Sequence, residues 1–464
     1  MKSPRRVIAV VAFAAASIGL LAGCSSGGAS SSATGNGKVT ITVGSLPPGT
    51  AKAAFTAFDN RVKAFEKLNP NITVKPEEYN WTASTFTAQL AGGTLPQQFD
   101  VPFTDTQSLL QNGQIADISS EVKALPYGNE LNKSLMAVAT SKSGAIYGLP
   151  YDPYAMGLSY NRKIFQEAGL NPNDPPTTWA QVAADAKTIS QKLPNVAGYM
   201  QMTNDATGGW ELVATTYSRG GRVEYRNSKG KTIVNADNPA TVAALQWLSN
   251  LRWKDNAAGS NFLLNWDSIN QAFGAGQIAM YPSGSDVLTS LVAADNVKPA
   301  DYGLTTLPIS GSGAGALTGG TVEVVSPQAT KAQQEAAVKW IDFYYVQPLI
   351  NKSQAVSNAK TLLASGQPVG VPSLPVFNQK TYNQTLSWIK PQMNVPQGNV
   401  ASFNSKIFNQ AVVPEPNIDT QQLYTALDPV VQAVLTNKNA NIKSLLKAVD
   451  TQMQPIITKD DTKE

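Results

Sequence analysis

The sequence predicts an α/β protein of more than one domain, with mainly parallel sheets flanked by helices. Three observations carry this. Strand-like and helix-like stretches alternate over residues 39–103, as in a sheet joined by right-handed crossovers. A strand, a stiff proline-containing connector, a second strand and two helices follow one another over residues 146–181. Roughly 425 residues remain once an apolar leader and a Ser/Gly-rich stretch are set aside, more than one core usually serves.

Residues 1–23 open with Lys2, Arg5 and Arg6 and continue as an apolar run over residues 7–22. The run is too short and wrongly flanked for a membrane span, and reads as a secretory signal peptide. Leu21-Ala22-Gly23-Cys24 resembles a bacterial lipobox, in which the cysteine becomes the lipidated first residue of the mature chain. Cys24 is the sole cysteine and stands where lipidation needs it. Two or three acyl chains there would anchor durably, where one would not. An ordinary signal peptide with an accidental cysteine is the alternative. Residues 24–37 are largely serine, glycine and alanine after Cys24, with nothing to bury, and read as a flexible tether.

Cleavage would remove three basic residues and no acidic ones. The 36 Lys+Arg become 33 against 32 Asp+Glu, and the formal charge of +4 falls to +1. The alkaline isoelectric point therefore implies no nucleic-acid partner. The chain has no histidine. That excludes Ser-His-Asp and Cys-His catalysis and His-based zinc sites. A single cysteine excludes disulfides and thiolate metal centres. Neither a metal nor a cofactor is expected; paired-carboxylate catalysis and binding of calcium or sugar remain open.

Val39, Ile41 and Val43 alternate with Thr40 and Thr42, the period of a half-buried strand. Residues 51–68 place Phe55, Phe58, Val62 and Phe65 on one helical stripe, with Arg61, Lys63, Glu66 and Lys67 elsewhere. Asn69-Pro70-Asn71 ends that helix, and Ile72-Thr73-Val74 starts a second strand. A helix over residues 82–90 runs to Gly92-Gly93, and a third strand surrounds residues 99–103. Ligands of such sheets bind beyond the carboxyl ends of the strands. Asn80-Trp81 and Phe103-Thr104-Asp105 stand there. Trp81 reads either as a core aromatic or as a ligand contact, and Asp105 either as a helix cap or as a binding carboxylate.

Residues 146–150 read as a short strand ended by Pro150, which cannot donate to a ladder. Tyr151-Asp152-Pro153-Tyr154 is a stiff connector, Pro153 pushing Asp152 into an extended conformation. Asn161 caps a short helix over residues 162–168 that Gly169 stops. Thr178 and Gln181 form a capping box for the next helix. The ordered pieces Gly148-Leu149-Pro150, Tyr160-Asn161-Arg162, Ala168-Gly169 and Pro175-Pro176-Thr177-Thr178-Trp179 resemble the first interlobe crossover of a known family. It is the maltodextrin-type extracellular solute-binding proteins (family 1) of bacterial ABC transporters. Residues 90–119 are similar to another segment of that family, with Gln97-Gln98 in place of its Pro-Asp step. The resemblance implies a two-lobe periplasmic-binding-protein-like fold of type II with three crossovers, each lobe a mainly parallel sheet flanked by helices. The first lobe would take residues 38–152 and 321–370, the second residues 153–320 and 371–460.

After the capped helix, a short strand is expected near residues 197–202, then a loop feeding a helix. Trp210 at that helix start, after Gly208-Gly209, is placed to project from the lobe face. Trp247 with Ala244, Leu248 and Leu251, and Trp340 with Ala337, Ile341 and Tyr344, lie on helical stripes and read as core. Tyr344-Tyr345 is no iron-binding pair, because neighbours on a helix point about 100° apart. Residues 273–280 resemble the family's Phe-x-x-Gly-x-x-Ala-Met strand, whose following loop meets the ligand; here that loop holds Tyr281 and Asp286. The tryptophan many relatives carry near Ser285 or Asp286 is absent. Residues 303–308 and Gly319-Gly320 look like the second crossover, and Val369-Gly370-Val371-Pro372 like the third. Residues 311–315 lack the Gly-Lys-Ser/Thr of a phosphate loop and read as a mobile loop. Helices over residues 379–389, 420–435 and 442–453 would close the second lobe, and Trp388 and Met393 could face cleft or core.

The resemblance implies two lobes that close by hinge motion around a ligand. Aromatic rings would stack on the C–H faces of a sugar while carboxylates and amides take its hydroxyls. With 8 Trp, 15 Tyr and a net charge near zero, a sugar fits better than a metal, phosphate or polyamine. The residues expected at the cleft are Trp81, Phe103, Asp105, Tyr151, Asp152, Tyr154, Trp210, Tyr281, Asp286, Gly320 and Trp388. The expected function is the lipid-anchored substrate-binding subunit of an ABC importer, monomeric and held at the outer face of the cell membrane through Cys24. It would hand a mono- or oligosaccharide, unchanged, to the permease subunits. A binding lipoprotein for a non-sugar solute or for signalling is the alternative. A secreted glycoside hydrolase with paired carboxylates is another, though no catalytic motif supports it.

Overall fold

The computed structural model describes residues 37–461 apart from 51 and 417. Cys24, the signal peptide and most of the expected tether lie outside them. Strand β1 (Val39–Gly44) buries Ile41 and Val43 under helix α1 (Lys52–Leu68). The predicted stripe of α1 delivers Phe58, Val62 and Phe65 to that core, where Phe65 meets Trp340 edge to face at 5.3 Å. Strand β2 (Ile72–Glu77) is followed by α2 (Ala83–Gly92), whose first turn is capped by Thr82 Oγ1 accepting the Thr85 N–H at 3.1 Å. Strand β3 (Gln98–Pro102) leads directly into α3 (Phe103–Gln111). Asp105 lies in the first turn of α3, with Pro102 in the cap position, so it is not the cap. The short helices α4 (Ser119–Lys123) and α5 (Lys133–Met136) follow.

Strand β4 (Gly148–Asn161) runs through the stretch where a break was expected. Pro150 does not end it, because that half of β4 pairs only with one neighbour, and an edge strand tolerates a missing N–H. Asp152 is not extended either. Its φ is 47°, and the register shifts between Tyr151 and Tyr154, so the connector is a bulge. Aspartate is one of the few residues enriched at positive φ. The two caps after β4 form as expected. Asn161 Oδ1 accepts the Ile164 N–H at 3.1 Å to start α6 (Arg162–Glu167), and Thr178 with Gln181 starts α7 (Trp179–Lys192).

Next come α8 (Thr207–Tyr217), the hairpin β5 (Glu224–Arg226) and β6 (Thr232–Val234), then α9 (Pro239–Trp253) and α10 (Trp266–Gly274). Strand β7 (Met280–Gly284), helix α11 (Leu288–Ala294), strand β8 (Tyr302–Thr306) and strand β9 (Ala316–Val325) complete the middle of the chain. The main sheet has the order β2-β1-β3-β9-β4-β7, with β8 on β4 as well. The pairs in β2-β1-β3 are parallel, as is a later strand, residues 412–414, on β9; β3-β9, β9-β4, β4-β7 and β4-β8 are antiparallel. The sheet is therefore mixed rather than mainly parallel. The cause lies in the chain path. Strand β4 runs from the part of the sheet shared with β9 and β3 to the part shared with β7 and β8, and β9 returns alongside it antiparallel. The strand expected near residues 197–202 is reduced to one parallel bridge, Ala197 to Ile278.

The last third forms α12 (Lys331–Ile341), α13 (Gln347–Ile350), α14 (Lys352–Ala364), α15 (Gln379–Ile389) and α16 (Ala401–Ile407). Strand β10 (Val412–Pro414) then adds in parallel to β9, before α17 (Thr420–Thr436) and α18 (Ile442–Asp461). Helix α15 packs mainly on α13 and α14, with the Thr385 hydroxyl donating to Leu349 O at 2.5 Å, while Tyr382 reaches Phe408 at the end of α16 at 5.6 Å. Residues 311–315, read as a mobile loop, are tied to the end of α8 by Gly315 N–H to Tyr217 O at 3.1 Å and, just before them, by Ser310 N–H to Ser218 O at 2.8 Å. Trp340 is wholly buried, and Trp247 packs against Trp179 and Tyr199, both as the helical stripes predict.

Candidate ligand-binding cleft

The floor of the cleft is the place where β4 and β9 run side by side. Tyr154 pairs there with Gly319. Gly319 has no room for a side chain, since a Cβ would strike the Tyr154 hydroxyl and stand 2.9 Å from Glu415 Oε2. Gly320, at φ 151°, is equally confined, with Pro153 Cα 3.0 Å and Phe103 Cζ 3.1 Å from where its Cβ would be. Bare backbone on β9 thus leaves room for both Tyr154 and Glu415 over Gly319.

One wall comes from α8. A Cβ on Gly209 would collide with the backbone of Tyr424, and one on Gly208 would lie 2.6 Å from Thr203 Cα. The Gly-Gly step therefore lets α8 and α17 pack backbone to backbone, which puts Trp210 and Tyr424 in one place. Asp428 of α17 caps α8 from outside, accepting the N–H groups of Ala206 at 2.7 Å and Gly209 at 2.8 Å. Trp210 meets Tyr154 edge-on at 6.0 Å and Trp266 at 6.2 Å. Trp266 opens α10 behind the cap Asn265, whose amide donates to Asp205 Oδ2 at 2.7 Å. Tyr424 donates to Glu415 Oε1 at 3.1 Å.

These groups enclose a cavity of about 290 Å³ bounded by Thr104, Tyr154, Trp210, Trp266, Asp286, Gly320, Glu415 and Tyr424 among others. No lysine or arginine lines it among the described residues. Burial, reinforced by the Asp152 charge, pushes the Asp286 carboxyl up to about 7. Burial, with Asp105 adding, pushes Glu415 up to about 8 against the opposing hydrogen bond from Tyr424. Both carboxyl-bearing residues are half-buried and line the cavity. Burial also raises Asp105. A second cavity of about 520 Å³ lies on the other side of Glu415, and a third of about 350 Å³ lies against Tyr151, Asp152, Tyr345 and Tyr382. Among the described residues, no group of three or more acidic, histidine or cysteine side chains could hold a metal ion.

Four of the residues expected from sequence meet at the smaller cavity, namely Tyr154, Trp210, Asp286 and Gly320. Phe103 borders the larger one, and Asp105 stands nearby, its Oδ2 accepting the Thr104 hydroxyl at 2.9 Å. Tyr151 and Asp152 face the third cavity instead, because the bulge turns them away from Tyr154. Asp105 lines none of these cavities, and neither do three further residues. Trp81 is half-buried against Phe86 at 4.9 Å, and Tyr281 is wholly buried with its hydroxyl on Asn270 Oδ1 at 2.8 Å. Trp388 rides on α15. Sequence reasoning missed Trp266, Glu415, Tyr424 and Asp205. A signal existed for Trp266, which follows a helix cap much as Trp210 opens α8. Glu415 is marked only by the prolines on either side of it, and Tyr424 sits on an ordinary amphipathic helix.

Two α/β lobes around an aromatic and acidic cleft define a solute-binding protein. Residues 60–359 match the sequence model of the bacterial extracellular solute-binding protein family, and the chain belongs to that family. It is 26% identical over 345 residues to a binding protein of Brucella abortus (strain 2308), covering 70% of this chain and 76% of that one. It is 21% identical over 303 residues to the sn-glycerol-3-phosphate-binding periplasmic protein UgpB of Salmonella typhimurium (strain LT2), covering 61% and 66%. In fold it is similar to an ABC transporter solute-binding protein from Thermotoga lettingae TMO bound with alpha-D-tagatose. That likeness has a TM-score of 0.70 and 18% identity, and covers 90% of this chain and 99% of that one.

Proposed function

We propose that the chain is the substrate-binding subunit of an ABC importer and captures a neutral sugar in the cleft at Tyr154. One observation carries the reading. Tyr154, Trp210 and Trp266 share with Asp286 and Glu415 a cavity that no basic side chain lines among the described residues. Rings offer flat faces for the C–H groups of a sugar, and the two carboxyl groups offer hydrogen-bond partners to its hydroxyls. A phosphate-bearing solute, of the kind for which the Salmonella relative is named, would call for arginine or lysine. The tagatose held by the Thermotoga protein supports the same reading.

In this reading β4 and β9 are the hinge, and closure buries the ligand between lobes of residues 38–152 with 321–370 and 153–320 with 371–460. The packing of α15 on α13 and α14 favours counting residues 379–389 with the first lobe. Cys24 would carry the lipid that holds a monomer at the outer face of the membrane, beside the permease subunits that receive the sugar unchanged. A thermal-shift screen against a carbohydrate library tests the assignment. A cognate sugar at a hundredfold over its Kd adds about 2.7 kcal/mol of stability. A response to glycerol phosphates, amino acids or polyamines alone would overturn the sugar assignment.

A further inference from the structure

The cavity of about 350 Å³ shares no lining residue with the one at Tyr154, and two irregular stretches of backbone build it. The first is the bulge in β4. Asp152 stands there at φ 47°, and Tyr151, Asp152 and Pro153 all line the cavity. The second is a π-helical turn over Asp342–Val346, which supplies Tyr344 and Tyr345. Left-handed backbone outside glycine is strained and collects at ligand sites. π-Helical turns are rare and collect at functional sites as well. The two stretches meet ring to ring, Tyr151 against Tyr345 at 4.6 Å and Tyr345 against Tyr344 at 4.7 Å.

The walls define the chemistry of an occupant. Leu349, Leu362, Val371 and Leu386 offer apolar surface, and Tyr382 adds a ring to those already named. Asp152 is the one charged side chain that lines the cavity among the described residues. It is exposed and makes no hydrogen bond or ion pair with another described residue. Arg61 lies over the Tyr344 ring at 4.8 Å, but it donates to Phe343 O and Tyr344 O at 3.1 Å each and lines no part of the cavity. The volume is that of a small-molecule pocket, which runs from roughly 300 to 1,000 Å³. Apolar walls take an apolar body, and tyrosine rings attract a cation over their faces. The Asp152 charge adds to that attraction and would repel an anion.

We infer that this cavity is a second ligand site, for a small organic cation with an aromatic or branched apolar body, its charge held at Asp152. It is independent of the sugar reading and of the outcome of any sugar titration. Calorimetric titration of benzyltrimethylammonium chloride into the full chain tests it, with benzyl alcohol and benzoate as neutral and anionic counterparts. The expected result is saturable binding of the cation, with benzyl alcohol weaker by about threefold or more and benzoate by about tenfold or more. Asp152→Asn should weaken the cation by about threefold or more and leave benzyl alcohol unchanged. Asparagine also tolerates positive φ, so that variant keeps the bulge. Ala359→Leu adds bulk to a lining position and should weaken cation and alcohol alike. Its melting curve shows whether the helix still packs, and Asp152→Asn carries the test if it does not. The cleft at Trp210 is also aromatic and acidic, so the titration is repeated on Trp210→Ala, where binding of the cation should persist. Loss of the cation in Trp210→Ala but not in Asp152→Asn would put it in the cleft and overturn the inference. Benzoate binding as tight as the cation's, or no saturable binding at all, would overturn it too.

Discussion

The ring of Trp210 stands edge-on to that of Tyr154, with centroids 6.0 Å apart and planes at 84°. One ring belongs to the crossover strand β4 and the other to the first turn of α8, so the contact ties the floor of the cleft to its wall. The edge-to-face geometry leaves a face of each ring free of the other. Those faces border the cavity into which Asp286 and Glu415 also look.

Aromatics outside the cavity should act on stability and not on affinity. Trp340→Ala removes a wholly buried ring packed between Phe58, Phe65 and Tyr344, and should cost about 3–5 kcal/mol. Trp81→Ala, on a half-buried ring against Phe86, should cost less. Chemical denaturation measures both costs, and titration of the folded fraction should give the parent affinity. A large loss of affinity in Trp81→Ala would return that residue to the binding site.

Two glycine substitutions should separate folding from binding. In Gly209→Ala the new methyl group meets the Tyr424 backbone, which cannot swing aside, so α8 and α17 must part. Overpacking of that kind costs about 1–3 kcal/mol or more and moves Trp210 as well. In Gly319→Ala the methyl group meets the Tyr154 hydroxyl and the end of the Glu415 side chain, which can shift. Its melting temperature should fall less, while its affinity falls by at least tenfold. Equal effects of both on melting would contradict this assignment of the two glycines.

Much of the local structure is legible before any coordinates. Thr82, Asn161 and Thr178 announce helix starts because capping is a contact between neighbours in sequence. The stripe of α1 and the core role of Trp340 follow from helical spacing for the same reason. Sheet direction is different. Whether β9 runs with or against β3 depends on where the chain travels between them, and no local pattern records that. The same limit explains the site. Trp210 and Asp286 are found because each ends a recognisable segment, whereas Tyr424 reaches the cleft only through a backbone contact with Gly209 on a distant helix. Tyr281 misleads because it lies within strand β7, where its side chain is wholly buried, and not in a loop after it.

Stability should depend on pH in a direction set by the cleft. Asp286 and Glu415 hold their protons in the folded chain up to about 7 and about 8. In the unfolded chain they lose them near 4. The native state therefore binds more protons across that window, and stability falls as pH rises through it, levelling above about pH 8. Buried Glu211 and Glu323, also raised by burial, push the same way. The unliganded protein should melt at a lower temperature at pH 9 than at pH 5.5. Combining Asp286→Asn with Glu415→Gln should reduce that difference without abolishing it. An unchanged difference would place these two carboxyls outside the pH response.

Anchoring should be separable from binding. Cys24→Ser is expected to release the protein from washed membranes while its melting temperature and ligand affinity stay those of the parent. Fractionation of cells expressing the variant checks this, and retention on the membrane would place the anchor elsewhere.

The most direct measurement is a calorimetric titration of the library-identified sugar into the parent and into a Trp210→Ala/Trp266→Ala double variant. Binding anchors of this kind are each worth about 2 kcal/mol or more. The parent should saturate at one sugar per chain, the sugar should be recovered unchanged, and the double variant should lose about a hundredfold or more in affinity while melting within a few degrees of the parent. A double variant that binds the sugar as the parent does would contradict the cleft assigned here.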